Sequence, residues 1–259
     1  MINKIGLGTV QFGLPYGIAN RKGQTSIIEA GKILQYAKEA GINTLDTSCV
    51  YGESESVLGA ILSSMKNDFD IVTKFLAQYG KVEEVLKSSL KRLKVSSVYG
   101  YLVHQFGDFK NDPKIWKSFE NLKRQRKVCK IGFSLYLPNE LEWLLKKKIV
   151  PDLIQIPYSV FDRRFEPYFD VLKKNGVEIH ARSVFLQGLV YLKPEELSGN
   201  LKKARKPLKK LQAVSLKYNI SIGALCLNAV LLNPLIDKVI IGVDRLNQLK
   251  DNVRLIKDI

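Results

Sequence analysis

The sequence predicts a single-domain α/β protein of the (β/α)8, or TIM-barrel, class. Three observations carry that prediction. Short β-branched runs alternate with longer helical patterns along the whole chain, the order expected of βαβ units around a parallel sheet. Counted from residues 6–9, about eight such units occur, and the 259-residue length is near that of a barrel of this kind. A doubly wound sheet would need fewer strands and a Gly-rich turn after the first, and no GxGxxG follows residues 6–9.

The elements follow in order. Ser26 and Glu29 have the spacing of a capping box, and Ile27, Ala30, Ile33, Leu34 and Ala37 form a helical apolar stripe that Gly41 stops. Residues 43–46 read as a strand. Ser54 then opens a helix with Val57, Leu58, Ile61 and Leu62 on one face. Residues 70–74 and 98–104 read as strands around a helix carrying Val82, Val85, Leu86, Leu90 and Leu93. Asp112-Pro113 marks a helix start, an N-cap followed by proline at the first position, and Trp116, Phe119 and Leu122 are its apolar face. Further strands are expected at 130–134, 153–157, 177–181 and 238–242. Helices are expected around Leu141, Leu144 and Leu145, near 165–173, at 207–218 and 221–232, and finally through Leu246, Leu249, Val253 and Ile256. No Pro/Gly/Ser-rich linker divides the chain, so one domain is expected.

Composition bounds the function. Hydrophobic residues make up 46% and charged residues 25%, which excludes disorder. The formal net charge of +16 admits an anionic partner, but the basic residues recur along the whole chain as on solvated helix faces. Without zinc-finger spacing or an aromatic RNA-binding signature, no nucleic-acid partner is expected. Neither a secretory leader nor an apolar run of transmembrane length is present, so no membrane partner is expected either. Cys49, Cys129 and Cys226 are odd in number and far apart, which suggests neither a disulfide framework nor a metal site. A reduced, cytoplasmic enzyme fits these features, and a monomer is favoured.

In a barrel, working residues sit at the C-terminal ends of strands and in the loops that follow. That filter selects Asp46, Lys74 and His104 at the ends of the second, third and fourth strands, and Tyr51 in the loop after Asp46. Singly, Asp46 with Thr47 and Ser48 reads as a turn, Lys74 as a surface lysine, Tyr51 as core and His104 as a structural histidine. Jointly, an acid, an amine, a phenol and an imidazole at one mouth make a proton-transfer site.

Those residues and others make the chain resemble the aldo-keto reductase family. The matching pieces include Gly6-Leu7-Gly8-Thr9-Val10-Gln11-Phe12-Gly13, Asp46-Thr47-Ser48, Tyr51-Gly52, Val72-Thr73-Lys74, Leu102-Val103-His104 and Lys130-Ile131-Gly132-Phe133-Ser134. Gln155-Ile156-Pro157-Tyr158-Ser159, Ile241-Gly242 and Gln248-Leu249-Lys250-Asp251-Asn252 continue the match toward the C-terminus. The resemblance implies NADPH-dependent reduction of a small-molecule aldehyde or ketone. Tyr51 would be the proton donor, with its pKa lowered by Lys74, Asp46 would hold Lys74, and His104 would orient the carbonyl oxygen. It also implies a cofactor site. Gly8, Thr9, Val10 and Asp46 would lie beside it, Ser134 and Gln155 would bind the carboxamide, and Arg182 would stack on the nicotinamide. Ser183, Leu186 and Gly188 would line the pyrophosphate, and Gly242, Arg245, Gln248 and Asn252 the adenosine end. Arg245 is the implied partner of the 2′-phosphate and the reason to expect NADPH/NADP+. Leu135 stands where the family often has asparagine. The chain stops at Ile259 without the long tail of larger members, so an open pocket is expected, walled by Phe75 and Phe106 and suited to a polar, sugar-type carbonyl. Cys49, between Asp46 and Tyr51, is either a small buried residue or a reactive thiol beside Lys74, with Cys129 and Cys226 slow to label. Two other functions remain open: a cofactor-binding regulatory barrel with little turnover, and a basic nucleic-acid-binding barrel.

Overall fold

A computed structural model describes residues 1–65 and 69–257. Eight parallel strands close into a barrel in sequence order. They are β1 (Ile5–Gly8), β2 (Thr44–Asp46), β3 (Asp70–Phe75), β4 (Val98–Val103), β5 (Val128–Ser134), β6 (Leu153–Pro157), β7 (Glu178–Arg182) and β8 (Lys238–Gly242). The helices are α1 (Ile27–Glu39), α2 (Ser54–Leu62), α3 (Val82–Leu93), α4 (Phe106–Asn111), α5 (Ile115–Arg124), α6 (Pro138–Lys146), α7 (Phe169–Lys174), α8 (Arg205–Tyr218), α9 (Ile222–Leu231) and α10 (Leu246–Lys257). Ile259, on which the expectation about the end of the chain rests, lies outside the described residues.

Alternation along each strand sorts the side chains. Outward residues such as Ile5, Leu7, Phe75, Tyr101, Phe133 and Ile154 join the apolar faces of the helices in one large core, as βα layering requires. Inward residues fill the barrel, where Val72, Leu102 and Leu153 form a compact apolar layer.

Three local expectations change. Ser26 Oγ accepts a hydrogen bond from Glu29 N at 3.3 Å, but Glu29 does not close a capping box. Its carboxylate accepts from Leu246 N at 2.8 Å, so the N-terminus of α10 outcompetes that of α1 for it and the two helices are tied together. Asp112-Pro113 forms a turn, with Asp112 Oδ1 accepting from Lys114 N at 3.1 Å, and α5 begins only at Ile115. The short helix α4, absent from the periodicity, follows β4 and buries Phe106 and Phe109.

Below the apolar layer the barrel is closed by a polar plug. Glu178 on β7 accepts from His180 Nε2 at 2.6 Å and from Tyr99 Oη at 2.7 Å, and pairs with Lys130. Burial alone would raise the Glu178 carboxyl. The hydrogen bond and charge of His180, and then the contacts of Lys130 and Tyr99, outweigh burial and pull it down to about 2. Tyr99 is pushed up to about 12, first by burial and then by its bond to the Glu178 carboxylate.

Because the folded-state value lies below the ordinary 4.5, Glu178 stabilises the fold fully above about pH 4.5, and that contribution is lost as pH falls toward about 2. Glu178→Gln is expected to cost about 2–4 kcal/mol in urea unfolding at neutral pH, because Lys130 is left without its counter-ion. Over the same acid interval the wild-type midpoint should drop more than that of the variant. Equal midpoints at neutral pH would show that the plug contributes nothing.

Candidate active site

The sheet register brings the expected residues to one level. Gly8 pairs with Asp46 on one side and Gly242 on the other, and Ser134 pairs with Gln155. Lys74 and His104 emerge from the ends of β3 and β4. Lys74 is fully buried, and its ammonium donates to Asp46 Oδ1 at 2.9 Å, Asp46 Oδ2 at 2.8 Å and Thr47 O at 2.9 Å. Its remaining contact is Tyr51 Oη at 3.4 Å. Asp46 also accepts from Gln155 Nε2 at 2.6 Å, which links β6 to the pair.

Tyr51 is delivered by a tight turn. A Cβ on Gly13 would lie 1.8 Å from Tyr51 O, and one on Gly52 would lie 2.3 Å from Gly13 O. The two glycines therefore let the turn after β2 rest directly on the loop after β1. Ser54 locks that contact by donating to Thr9 O at 2.8 Å and meeting Thr9 Oγ1 at 2.9 Å.

Electrostatics assigns each group a charge state. Burial would lower the Lys74 ammonium, but the Asp46 carboxylate and Tyr51 together more than reverse this, and the net shift is upward. Lys74 is a cation. Burial raises the Tyr51 phenol and the charge of Lys74 only partly offsets it, so the net direction is up. The expected lowering by Lys74 is thus present but outweighed by desolvation, and Tyr51 holds its proton at neutral pH. His104 is depressed to about 3, first by burial and then by the Lys74 charge, so its imidazole is neutral. Its Nδ1 lies 3.0 Å from Ser48 Oγ. With the hydroxyl of Ser48 as donor, the ring proton sits on Nε2, leaving a donor for a ligand oxygen.

A cavity of about 890 Å³ opens from this cluster. It runs from Asp46, Tyr51 and His104 past the loops after β1 and β7 to the N-termini of α9 and α10. Gly8, Thr9, Val10, Ser134, Gln155, Arg182, Ser183, Gly188, Gly242, Gln248 and Asn252 line it as the sequence suggested. Lys74 sits behind the wall rather than in it.

Other expectations are corrected. Leu186 packs into the core while its neighbours Gln187 and Gly188 face the cavity. Arg245 does not line the cavity; its guanidinium donates to the carbonyl of Asp244 at 3.1 Å. Leu135 has its side chain in the core, and its carbonyl holds Arg182 at 3.2 Å. The Arg182 guanidinium lies 4.1 Å from the ring of Tyr136, on which it stacks. Phe75 packs on Phe119 and Phe106 on Trp143, so neither walls the cavity. Tyr16, Tyr136, Phe185 and Tyr191 supply the aromatic wall instead. Cys49 is half-buried against the core, and burial, then the charge of Glu55, raises its thiol, so the reactive alternative fails. Cys129 is exposed, against expectation, because outward positions at the start of β5 precede helix cover.

The lining fits a dinucleotide. Gln11 presents a buried Oε1 with no partner among the described residues. A Cβ on Gly242 would lie 2.5 Å from the Gln11 amide nitrogen, so glycine lets the Gln11 side chain keep its place against β8. Sequence reasoning missed Gln11, Asp244 and Asp251 as cavity residues and Ser48 as the partner of His104. Gln11 was signalled by its place beside Gly8-Thr9-Val10. The others become visible only once loops are placed.

Comparison with known proteins accords with this geometry. The profile of the Aldo/keto reductase family matches residues 4–258. An uncharacterized oxidoreductase of Bacillus subtilis (strain 168) is 26% identical over 98% of this chain and 87% of its own. The L-galactose dehydrogenase of Arabidopsis thaliana is 24% identical, covering 100% of this chain and 85% of its own. Among solved structures, an aldo-keto reductase of Bacillus halodurans in its apo form superposes with a TM-score of 0.78 at 27% identity, over 98% of this chain and 86% of that one.

Two measurements check the charge states and exposures. The ring resonances of His104 should show no titration between about pH 5 and 8, and a midpoint near 6.5 would contradict the depressed value. A maleimide reagent should modify Cys129 first and Cys49 and Cys226 slowly; rapid labelling of Cys49 would restore the reactive-thiol reading.

Proposed function

Because the chain belongs to the Aldo/keto reductase family, we propose that it is an oxidoreductase that reduces an aldehyde or ketone to an alcohol with a nicotinamide dinucleotide bound in the 890 Å³ cavity. The observation that carries this reading is the protonated Tyr51 hydroxyl, 3.4 Å from a buried ammonium and beside a neutral imidazole, at the end of that cavity.

The cofactor, when bound, supplies the hydride that the protein cannot. Everything else falls to the chain. Tyr51 gives its proton to the carbonyl oxygen as charge develops there. Lys74, 5.0 Å from the Tyr51 ring centroid, stabilises the phenolate left behind. Asp46 keeps Lys74 charged and immobile, so the ammonium needs no reorganisation as the proton moves. His104 Nε2–H donates to the same carbonyl oxygen and fixes its approach, with Ser48 setting the tautomer. Ser134 and Gln155 face the nicotinamide end, and Ser183 and Gly188 the pyrophosphate.

The substrate class proposed is a polar, sugar-type carbonyl compound. Tyr16 and Tyr136 are 39% and 48% exposed at the cavity wall and offer ring faces for C–H surfaces with hydroxyls for polar groups. The similarity to an L-galactose dehydrogenase supports the same class. NADPH was expected on the strength of Arg245, which does not line the cavity, so the choice of dinucleotide passes to other residues.

Tyr51→Phe is expected to lower kcat by at least about 10²-fold while dinucleotide affinity stays within a few-fold, since only the proton donor is lost. Loss of reduced-nicotinamide absorbance across a panel of sugar and simple aldehydes checks both activity and class. Turnover in Tyr51→Phe close to wild type would overturn the mechanism.

A further inference from the structure

The far end of the cavity, at the N-terminus of α10, carries the wrong charge for a phosphate. Among the residues lining the cavity, Arg182 is the one arginine or lysine, and it stands over Tyr136 near the reaction end. The α10 end contributes two carboxylates instead, Asp244 and Asp251. A free helix N-terminus attracts anions through its unpaired N–H groups. Here three backbone donors at that end are taken. Asp244 N and Arg245 N both donate to Gln248 Oε1, at 2.6 and 3.3 Å, and Leu246 N donates to the Glu29 carboxylate at 2.8 Å. The chain has built its own acceptors, one of them an anion, into the place where an incoming phosphate would seek donors.

Asp244 itself is held in position. Its carbonyl accepts from Thr25 Oγ1 at 3.2 Å and from Arg245 Nη1 at 3.1 Å, and its Oδ1 accepts from Asn20 Nδ2 at 3.3 Å. Asn20 also lines the cavity, so the carboxylate is anchored at its edge.

We propose that this cavity selects NADH over NADPH and that Asp244 is the residue that discriminates. The inference rests on the dinucleotide reading of the cavity. An adenosine ribose with a free 2′-hydroxyl offers a donor, which a carboxylate accepts well; this is how acidic residues select NAD in other nucleotide folds. A 2′-phosphate offers only acceptors and about two negative charges, and meets the carboxylates of Asp244 and Asp251, the second shared with Arg254 at 3.6 Å, with Leu246 N already engaged by Glu29. Arg245 offsets this only in part: it lies outside the cavity lining with Nη1 on the Asp244 carbonyl at 3.1 Å, although its charge reaches the Asp244 carboxylate.

The test is calorimetric and needs no turnover. NAD+ and NADP+ are titrated separately into the wild-type protein and into Asp244→Asn, Asp244→Arg and Arg245→Ala, with circular dichroism to verify folding. NAD+ should bind the wild type at least roughly tenfold more tightly than NADP+, a gap that narrows as salt is added. Asp244→Asn should shrink the ratio, Asp244→Arg should bring it to unity or reverse it, and Arg245→Ala should not lower it. Equal or tighter binding of NADP+ by the wild type would overturn this proposal while leaving the dinucleotide site intact. So would a ratio that ignores Asp244→Asn and Asp244→Arg. Binding of neither dinucleotide would overturn the reading of the cavity itself.

Discussion

The interaction on which the site depends is the ion pair between Lys74 and Asp46. A fully buried ammonium is tolerable only if its charge is balanced and its protons are accepted. Lys74 meets both conditions through the Asp46 carboxylate, the Thr47 carbonyl and the Tyr51 hydroxyl. Since Asp46 also takes the amide of Gln155, the pair draws β2, β3, β6 and the Tyr51 loop toward a common point. Burial makes the arrangement unforgiving, because removing either charge leaves the other stranded at a cost of about 3–5 kcal/mol. The same burial makes it precise, since no water competes for the ammonium.

From that pair the remaining charge states follow. Burial, reinforced by the Lys74 cation, keeps His104 neutral and able to donate. Desolvation keeps the proton on Tyr51, although the nearby cation favours releasing it. A phenol that retains its proton at rest but sits beside a positive charge is suited to giving that proton up only when a developing oxyanion asks for it. In the proposed reaction, proton donor, electrostatic support and orienting group thus take distinct roles within one small cluster.

Charge acts on two scales in this protein. The net +16 produces a positive field that draws anionic ligands toward the surface. The selection we propose between dinucleotides belongs to short range, where Asp244 lines the cavity and added salt weakens the discrimination. Bulk composition is therefore a poor guide to cofactor choice. A strongly basic chain can present a locally acidic wall at the position that matters.

The sequence by itself determined the barrel, because alternating β-branched and helical periods leave a parallel sheet few other ways to bury both faces. It also determined which strand ends carry Asp46, Lys74 and His104, since residue type and strand position suffice for that. Only the tertiary structure decided what those groups are electrically. The direction of the Tyr51 shift depends on how much water its loop excludes, which no local pattern encodes. Tertiary contacts likewise decided partners that lie far apart in the chain. Glu29 leaves its own helix for Leu246, 217 positions away, and Ser48 reaches His104 across 56. The exchange of Arg245 for Asp244 in the cavity wall is the sharpest case. The two are adjacent in sequence, and the path of the backbone after Gly242 places Asp244 in the cavity lining and Arg245 on the carbonyl of Asp244.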